Sequence, residues 1–174
     1  HGFHIEDFFT FLGKIKKANP DFPFIVMGYA NLFYRMGFRK MFTRLAENNV
    51  TGVIIPDIPH EEKMRWIEKD KLDSLLEKIS WIDFITPTVT PARMKAICTE
   101  ASGFLYFVST KGVTGQNKFS LKPSKQIIES VKKLGKIPVL VGFGVRNQEN
   151  AMEAVNYADG FIIGSRIHEI IEEN

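Results

Sequence analysis

Two short apolar runs near the C-terminal end of the chain each stop at glycine and lead into a helical pattern. The first is Ile137-Pro-Val-Leu-Val-Gly142-Phe143-Gly144. The second is Asp159-Gly-Phe-Ile-Ile-Gly164-Ser165. The chemistry such ends can do is anion binding. Bare backbone N–H groups and a helix N-terminus attract a phosphate, and glycine lets it approach the main chain. Two consecutive strand–Gly–helix junctions match the phosphate site that (β/α)8 barrels build after their last two strands. Gly142, Gly144, Gly164 and Ser165 are therefore candidate phosphate ligands, Ser165 through both its hydroxyl and its N–H. The competing reading is that the glycines only make tight turns.

Other residues carry weaker chemical signals. Asp57 follows a buried apolar run, where a barrel places its active site. It reads equally well as a general base or as a cap or turn residue before the next helix. Tyr106 closes a strand on the same expected face, as a substrate contact or as a buried core tyrosine. Tyr29 and Phe143 are flat enough to wall a flat bicyclic ligand. With 15 phenylalanines in the chain, core packing explains aromatics as readily. Residues 109–122 are polar and contain glycine, longer than the about 2–6 residues usual for such a connection. A loop of that length is expected to act as a lid, and residues 110–122 to be the least ordered internal segment without ligand. Thr114 within it reads, by residue type alone, as a surface threonine. His1, His4, His60 and His168 are dispersed, without ligand spacing, so no metal site is expected.

The elements that must position these residues alternate along the chain. Apolar side chains at Ile5, Phe8, Phe9, Leu12 and Ile15 mark a helix over 5–18. Strands follow at 24–27, 52–55, 81–85, 103–108, 137–141 and 160–163. Helices are expected at 33–48, 60–79, from Thr90-Pro91 onward, 123–134, 147–156 and 166–172. Thr90 supplies an N-cap and Pro91 suits the first helical position. Six strands, mostly apolar on both faces and separated by helices, belong to a parallel sheet covered by helices. A doubly wound open sheet is the rival, but no Gly-x-Gly-x-x-Gly follows an early strand. The expected fold is α/β, of the (β/α)8 TIM-barrel type, with six of eight β-α units in one partial domain over 1–174.

Composition narrows the function. The chain has 174 residues, 44% hydrophobic and 25% charged, as in an ordinary globular domain. No apolar run approaches the ~20 residues of a spanning helix, so no membrane partner is expected. No charged-then-apolar leader is visible, so no signal peptide is expected. The one cysteine, Cys98, cannot form an internal disulfide, which suits a reducing cytoplasm. The net charge is only +3 and the lysines are scattered, which argues against a nucleic-acid surface.

Six segments together carry a family resemblance. They are Phe24-Ile-Val-Met-Gly-Tyr29-Ala-Asn31, Gly52-Val-Ile-Ile-Pro-Asp57-Ile-Pro59, Gly103-Phe-Leu-Tyr106-Phe-Val-Ser109, Gly112-Val-Thr114-Gly115, Val141-Gly-Phe-Gly144-Val145 and Ile163-Gly164-Ser165. In this order they resemble the tryptophan synthase α subunit family. The resemblance implies retro-aldol cleavage of indole-3-glycerol phosphate to indole and glyceraldehyde 3-phosphate in tryptophan biosynthesis. It implies no cofactor in this chain, pyridoxal phosphate in a partner β subunit, and an αββα complex. It assigns Thr114 to closing the long loop and ordering the catalytic base, and Gly115 to the phosphate. It places Tyr106 near the substrate and the catalytic Glu, and Asp57 near the substrate and the partner. Asn31 and Pro59 would face the β subunit. The family's catalytic Glu, and the Asp that binds the indole nitrogen, lie in its first two β-α units. Those units have no counterpart here, so the 174 residues alone are expected to be inactive. The alternatives are another phosphate-binding barrel enzyme, such as a phosphoribosylanthranilate isomerase-like protein, and a non-catalytic module that binds phosphate or a β subunit.

Overall fold

The structure, a computed structural model, describes residues 2, 4–108, 119–142 and 144–173. They fall into two compact units, His1–Trp81 and Ile82–Asn174. In the first, helix α1 (Ile5–Ala18) precedes strand β1 (Ile25–Met27), helices α2 (Ala30–Met36) and α3 (Phe38–Glu47), strand β2 (Gly52–Ile54), helices α4 (His60–Asp70) and α5 (Asp73–Leu76), and strand β3 (Ser80–Trp81). The three strands form one parallel sheet in the order β1-β2-β3. Phe9 and Leu12 of α1, the apolar stripe of α3 and the indole of Trp81 make one core. Trp81 stacks on Phe38 at 5.8 Å and meets Phe42 at 5.3 Å. Each fully buried ring of this kind contributes about 1.5–3 kcal/mol of burial.

The second unit holds strand β4 (Asp83–Ile85), helix α6 (Pro91–Glu100), strand β5 (Leu105–Val108), helix α7 (Lys125–Leu134), strand β6 (Val139–Gly142), helix α8 (Gln148–Tyr157), strand β7 (Gly160–Phe161) and helix α9 (Ser165–Glu172). A 3-10 turn, Lys122–Ser124, leads into α7. The sheet order is β4-β5-β6-β7, all parallel. Ile85, Leu105, Phe107, Val139 and Val141 pack against Met94 and Ile97 of α6, Ile128 and Val131 of α7, and Ala154 of α8. Register places Phe84, Tyr106, Leu140 and Gly160 in a row across the sheet. Adjacent side chains in a strand alternate faces, so this row lies opposite the helix-covered core.

Three expected elements differ from what forms. The helix expected at 33–48 is two helices, broken at Gly37, whose φ of 88° no side-chain-bearing residue adopts readily. The helix expected at 60–79 stops at Asp70. Lys71 takes a left-handed conformation and its N–H bonds back to the Glu68 carbonyl, ending the turn. The strand expected at 81–85 is divided, because Ser80–Trp81 pairs with β2 and Asp83–Ile85 with β5.

Candidate active site

In the second unit the glycine-ended strands lie side by side. Val141 pairs with Phe161, and the Ile162 N–H donates to the Val141 carbonyl at 2.8 Å. The turns after β6 and β7 therefore leave the same end of neighbouring parallel strands. The two turns differ in what surrounds them. After β6, Gly144 has φ 85°, a conformation that favours glycine. A Cβ there would come within 2.7 Å of the Phe119 ring, so Phe119 lies directly on the turn. The turn closes on two side-chain acceptors. Asn147 Oδ1 accepts from the Asn150 N–H at 2.9 Å, and Asn150 Oδ1 accepts from the Arg146 N–H at 3.3 Å. After β7, Gly164 is exposed and is the cap residue of α9, with no side-chain cap bond. Nothing lies within 4 Å of where its Cβ would be. Ser165, also exposed, is the first residue of α9.

Gly142 differs from these two. A Cβ on it would stand 2.1 Å from three atoms of the Tyr106 side chain. The missing side chain is the space that Tyr106 occupies. Tyr106 is buried, lies 4.9 Å from Phe84, and its phenol is pushed up from the ordinary range by that burial. It is thus held as a neutral hydroxyl. The phenol therefore stands beside Gly142, the last residue of β6, two residues before Gly144.

The sequence-marked residues of the first unit gather at the ends of β1 and β2. The Asp57 carboxylate accepts from the Ala30 N–H, at 2.9 Å from Oδ1 and 3.2 Å from Oδ2. Ala30 opens α2, so Asp57 caps the helix after the neighbouring strand, not its own. Its charge also suits the positive end of that helix. Tyr29 is the cap residue of α2 and is 65% exposed. Asn31, one residue into α2, and Pro59, the cap residue of α4, are both exposed. Thr114, Gly115, Phe143 and most of the long loop (109–118) lie outside the described residues. The loop's C-terminal root is fixed. Glu153 Oε1 accepts from the Leu121 N–H at 2.7 Å and from the Ser120 hydroxyl at 3.2 Å. Leu121 itself is fully buried.

Sequence reasoning passed over Phe119, Glu153, Arg146 and the Asn147–Asn150 pair. The last had a readable signal, because an Asn three residues before an Asn at a helix start has N-cap spacing. Among the described residues no group of His, Cys, Asp and Glu could hold a metal ion. None of the helices they form is long and apolar enough to cross a membrane. Cys98 is a free, buried thiol, pushed up by burial and by the Asp83 charge.

Parallel strands alternating with helices, with glycine turns on two adjacent strand ends, define an α/β protein of the (β/α)8-barrel class. Comparison with known proteins specifies it further. A family model described as "Tryptophan synthase alpha chain" matches residues 1–174. The tryptophan synthase alpha chain of Methanocaldococcus jannaschii is 34% identical over 168 residues, covering 95% of this chain and 58% of that protein. That of Leptospira interrogans is 33% identical over 176 residues, covering 100% and 65% respectively. A crystal structure of tryptophan synthase from M. tuberculosis, in an aminoacrylate-bound form, superposes with a TM-score of 0.82 at 27% identity. The match covers 99% of this chain and 63% of that one. The chain belongs to the tryptophan synthase alpha chain family, and spans about three-fifths of the length of these curated relatives.

Proposed function

We propose that this chain carries the phosphate-binding portion of a tryptophan synthase α active site, a lyase that cleaves indole-3-glycerol phosphate to indole and glyceraldehyde 3-phosphate. The observation that carries the reading is the pair of glycine turns on neighbouring parallel strand ends, in a chain matched to the family along its whole length. In the reaction the bond from indole C3 to the glycerol chain breaks. An acid protonates C3, and a base takes the proton of the hydroxyl that becomes the aldehyde. The phosphate, remote from that bond, is gripped by the N–H groups of the turns at Gly144 and Gly164–Ser165, with Gly115 joining them. Binding energy spent there orients the reacting end. The neutral Tyr106 hydroxyl faces the substrate beside the acid–base pair that the resemblance assigns to the family's first two β-α units. Tyr29 and Phe143 wall the indole, and Thr114 is assigned to closing the loop and ordering the catalytic base. Asp57 is assigned to holding the α2 start near substrate and partner.

Residues 1–174 are assigned to a single partial barrel domain, in the cytoplasm, without a cofactor of its own. Asn31 and Pro59 are assigned to a β subunit that holds pyridoxal phosphate and consumes the indole. The test is calorimetric titration with indole-propanol phosphate, which cannot be cleaved. Saturable binding that inorganic phosphate competes for is expected. Absence of binding sinks the reading. Single-turnover indole release separates an enzyme from a module that only binds.

A further inference from the structure

Arg146 lies two residues beyond Gly144, in the turn after β6. Its guanidinium is paired with Glu169 Oε1, in the second turn of α9. The other oxygen of Glu169 accepts from Arg166 at 3.2 Å, and Arg166 also reaches Glu173 at 3.5 Å. Glu169 is therefore held from both sides. One arm belongs to α9 itself and the other to the neighbouring turn. The backbone of Arg146 is fixed as well, since its N–H donates to Asn150 Oδ1. The Arg146–Glu169 pair thus ties the turn after β6 to α9 through side chains. Packing at the α9 start is open: Gly164 has no neighbour within 4 Å of its Cβ position, and Ile167, Ile170 and Ile171 are exposed.

We propose that Glu169, latched to Arg146, is a positioning residue that sets the separation of the two glycine turns and so the fit of the phosphate between them. This rests on the phosphate reading given above. Both guanidiniums are engaged by carboxylates of α9, Arg146 by Glu169 and Arg166 by Glu169 and Glu173, so in this proposal they act on the turns and not on the anion. Two backbone cradles on separate strand ends must hold their N–H groups at hydrogen-bond distance from one small anion at once. A drift of even a few tenths of an ångström in one costs bonds in the other.

The experiment measures indole-propanol phosphate and inorganic phosphate affinity for the protein and for Arg146→Ala, Glu169→Ala and the double variant, at low and high salt. An exposed pair is worth at most about 1 kcal/mol, so each single variant should bind about two- to fivefold more weakly. The double variant should bind no more weakly than either single, because the latch is lost once. The deficit should shrink at high salt, which screens the pair in the parent protein. Thermal midpoints of all four should agree closely, which separates positioning from general destabilisation. Additive losses, or no loss, would overturn the latch. Tighter binding by Glu169→Ala would overturn it too, by revealing Arg146 as an anion ligand that Glu169 restrains. If the parent protein binds neither probe, the phosphate reading falls and the latch with it.

Discussion

Gly142→Ala should damage the fold through one contact. The new methyl would stand 2.1 Å from Cε1, Cζ and Oη of Tyr106, where ordinary contact begins near 3.4 Å. The ring must withdraw by roughly 1.3 Å, the difference between those two distances. It has little room to do so. Tyr106 is 8% exposed, sits in the middle of the sheet between β4 and β6, and already touches Phe84. Overpacking of a buried site costs about 1–3 kcal/mol, and a clash with three side-chain atoms belongs at the upper end. For a chain of this size that lowers Tm by about 6–12 °C. Differential scanning calorimetry on four proteins gives the test: the parent, Gly142→Ala, Tyr106→Ala and the double variant. Tyr106→Ala is itself destabilising by about 3–5 kcal/mol, through the cavity it leaves. With the ring gone, however, the methyl added at position 142 has space, so the double variant should be no less stable than Tyr106→Ala. A Gly142→Ala midpoint within about a degree of the parent, small against the shift expected above, would refute the reasoning. So would a double variant that melts lower by the full cost of Gly142→Ala, because the two residues would then act independently.

The remaining predictions use sites where the fold tolerates change. Gly164→Val should leave Tm unchanged, since nothing lies within 4 Å of its Cβ position, yet block a phosphate sterically; phosphate affinity that survives it removes Gly164 from the site. Asp57→Ala should cost about 1 kcal/mol by uncapping Ala30, whereas Asp57→Asn keeps an acceptor and should cost less, as urea titration would show. Robust indole release lost on Asp57→Asn would instead make Asp57 the base. Asp159 has its carboxyl lowered overall: partial burial raises it, but the Lys132 ammonium at 2.7 Å and the Val139 N–H outweigh that. A depressed carboxyl stabilises the fold above its unfolded pKa, and that contribution disappears as pH falls through the lower folded value. Stability measured from about pH 5 downward should therefore decline less steeply in Asp159→Asn than in the parent.

The order of elements was legible because local rules and tertiary structure agree. Thr90-Pro91 opens α6 as its residue types require, with the Arg93 N–H on the threonine oxygen at 3.4 Å. The apolar stripe of α1 is buried at Phe9 and Leu12. The breaks were less legible. A glycine inside a strong helical pattern is a weak signal, and only the chain path shows that Gly37 takes φ 88°. The division at Ile82 has no local signal at all, because strand pairing is decided by partners distant in sequence.

The same distinction runs through the candidate site. A glycine at a strand end can be read from sequence, but the reason for it cannot. Gly142, Gly144 and Gly164 look alike in the chain. Their surroundings separate them: the first makes room for Tyr106, the second adopts a positive φ under Phe119, and the third stands open. Of these three, Gly164 alone is glycine without an internal steric demand at its Cβ, and so the residue type there is the one best explained by a ligand. Asp57 makes the converse point. Its position promised chemistry, but its carboxylate is satisfied by an N–H 27 residues earlier in the chain. A catalytic base must be reachable by substrate while still accepting that bond. An exposed carboxylate has lone pairs to spare, so capping and contact with substrate are compatible. What decides between them is whether removing the charge while keeping the acceptor, as Asp57→Asn does, changes stability or chemistry.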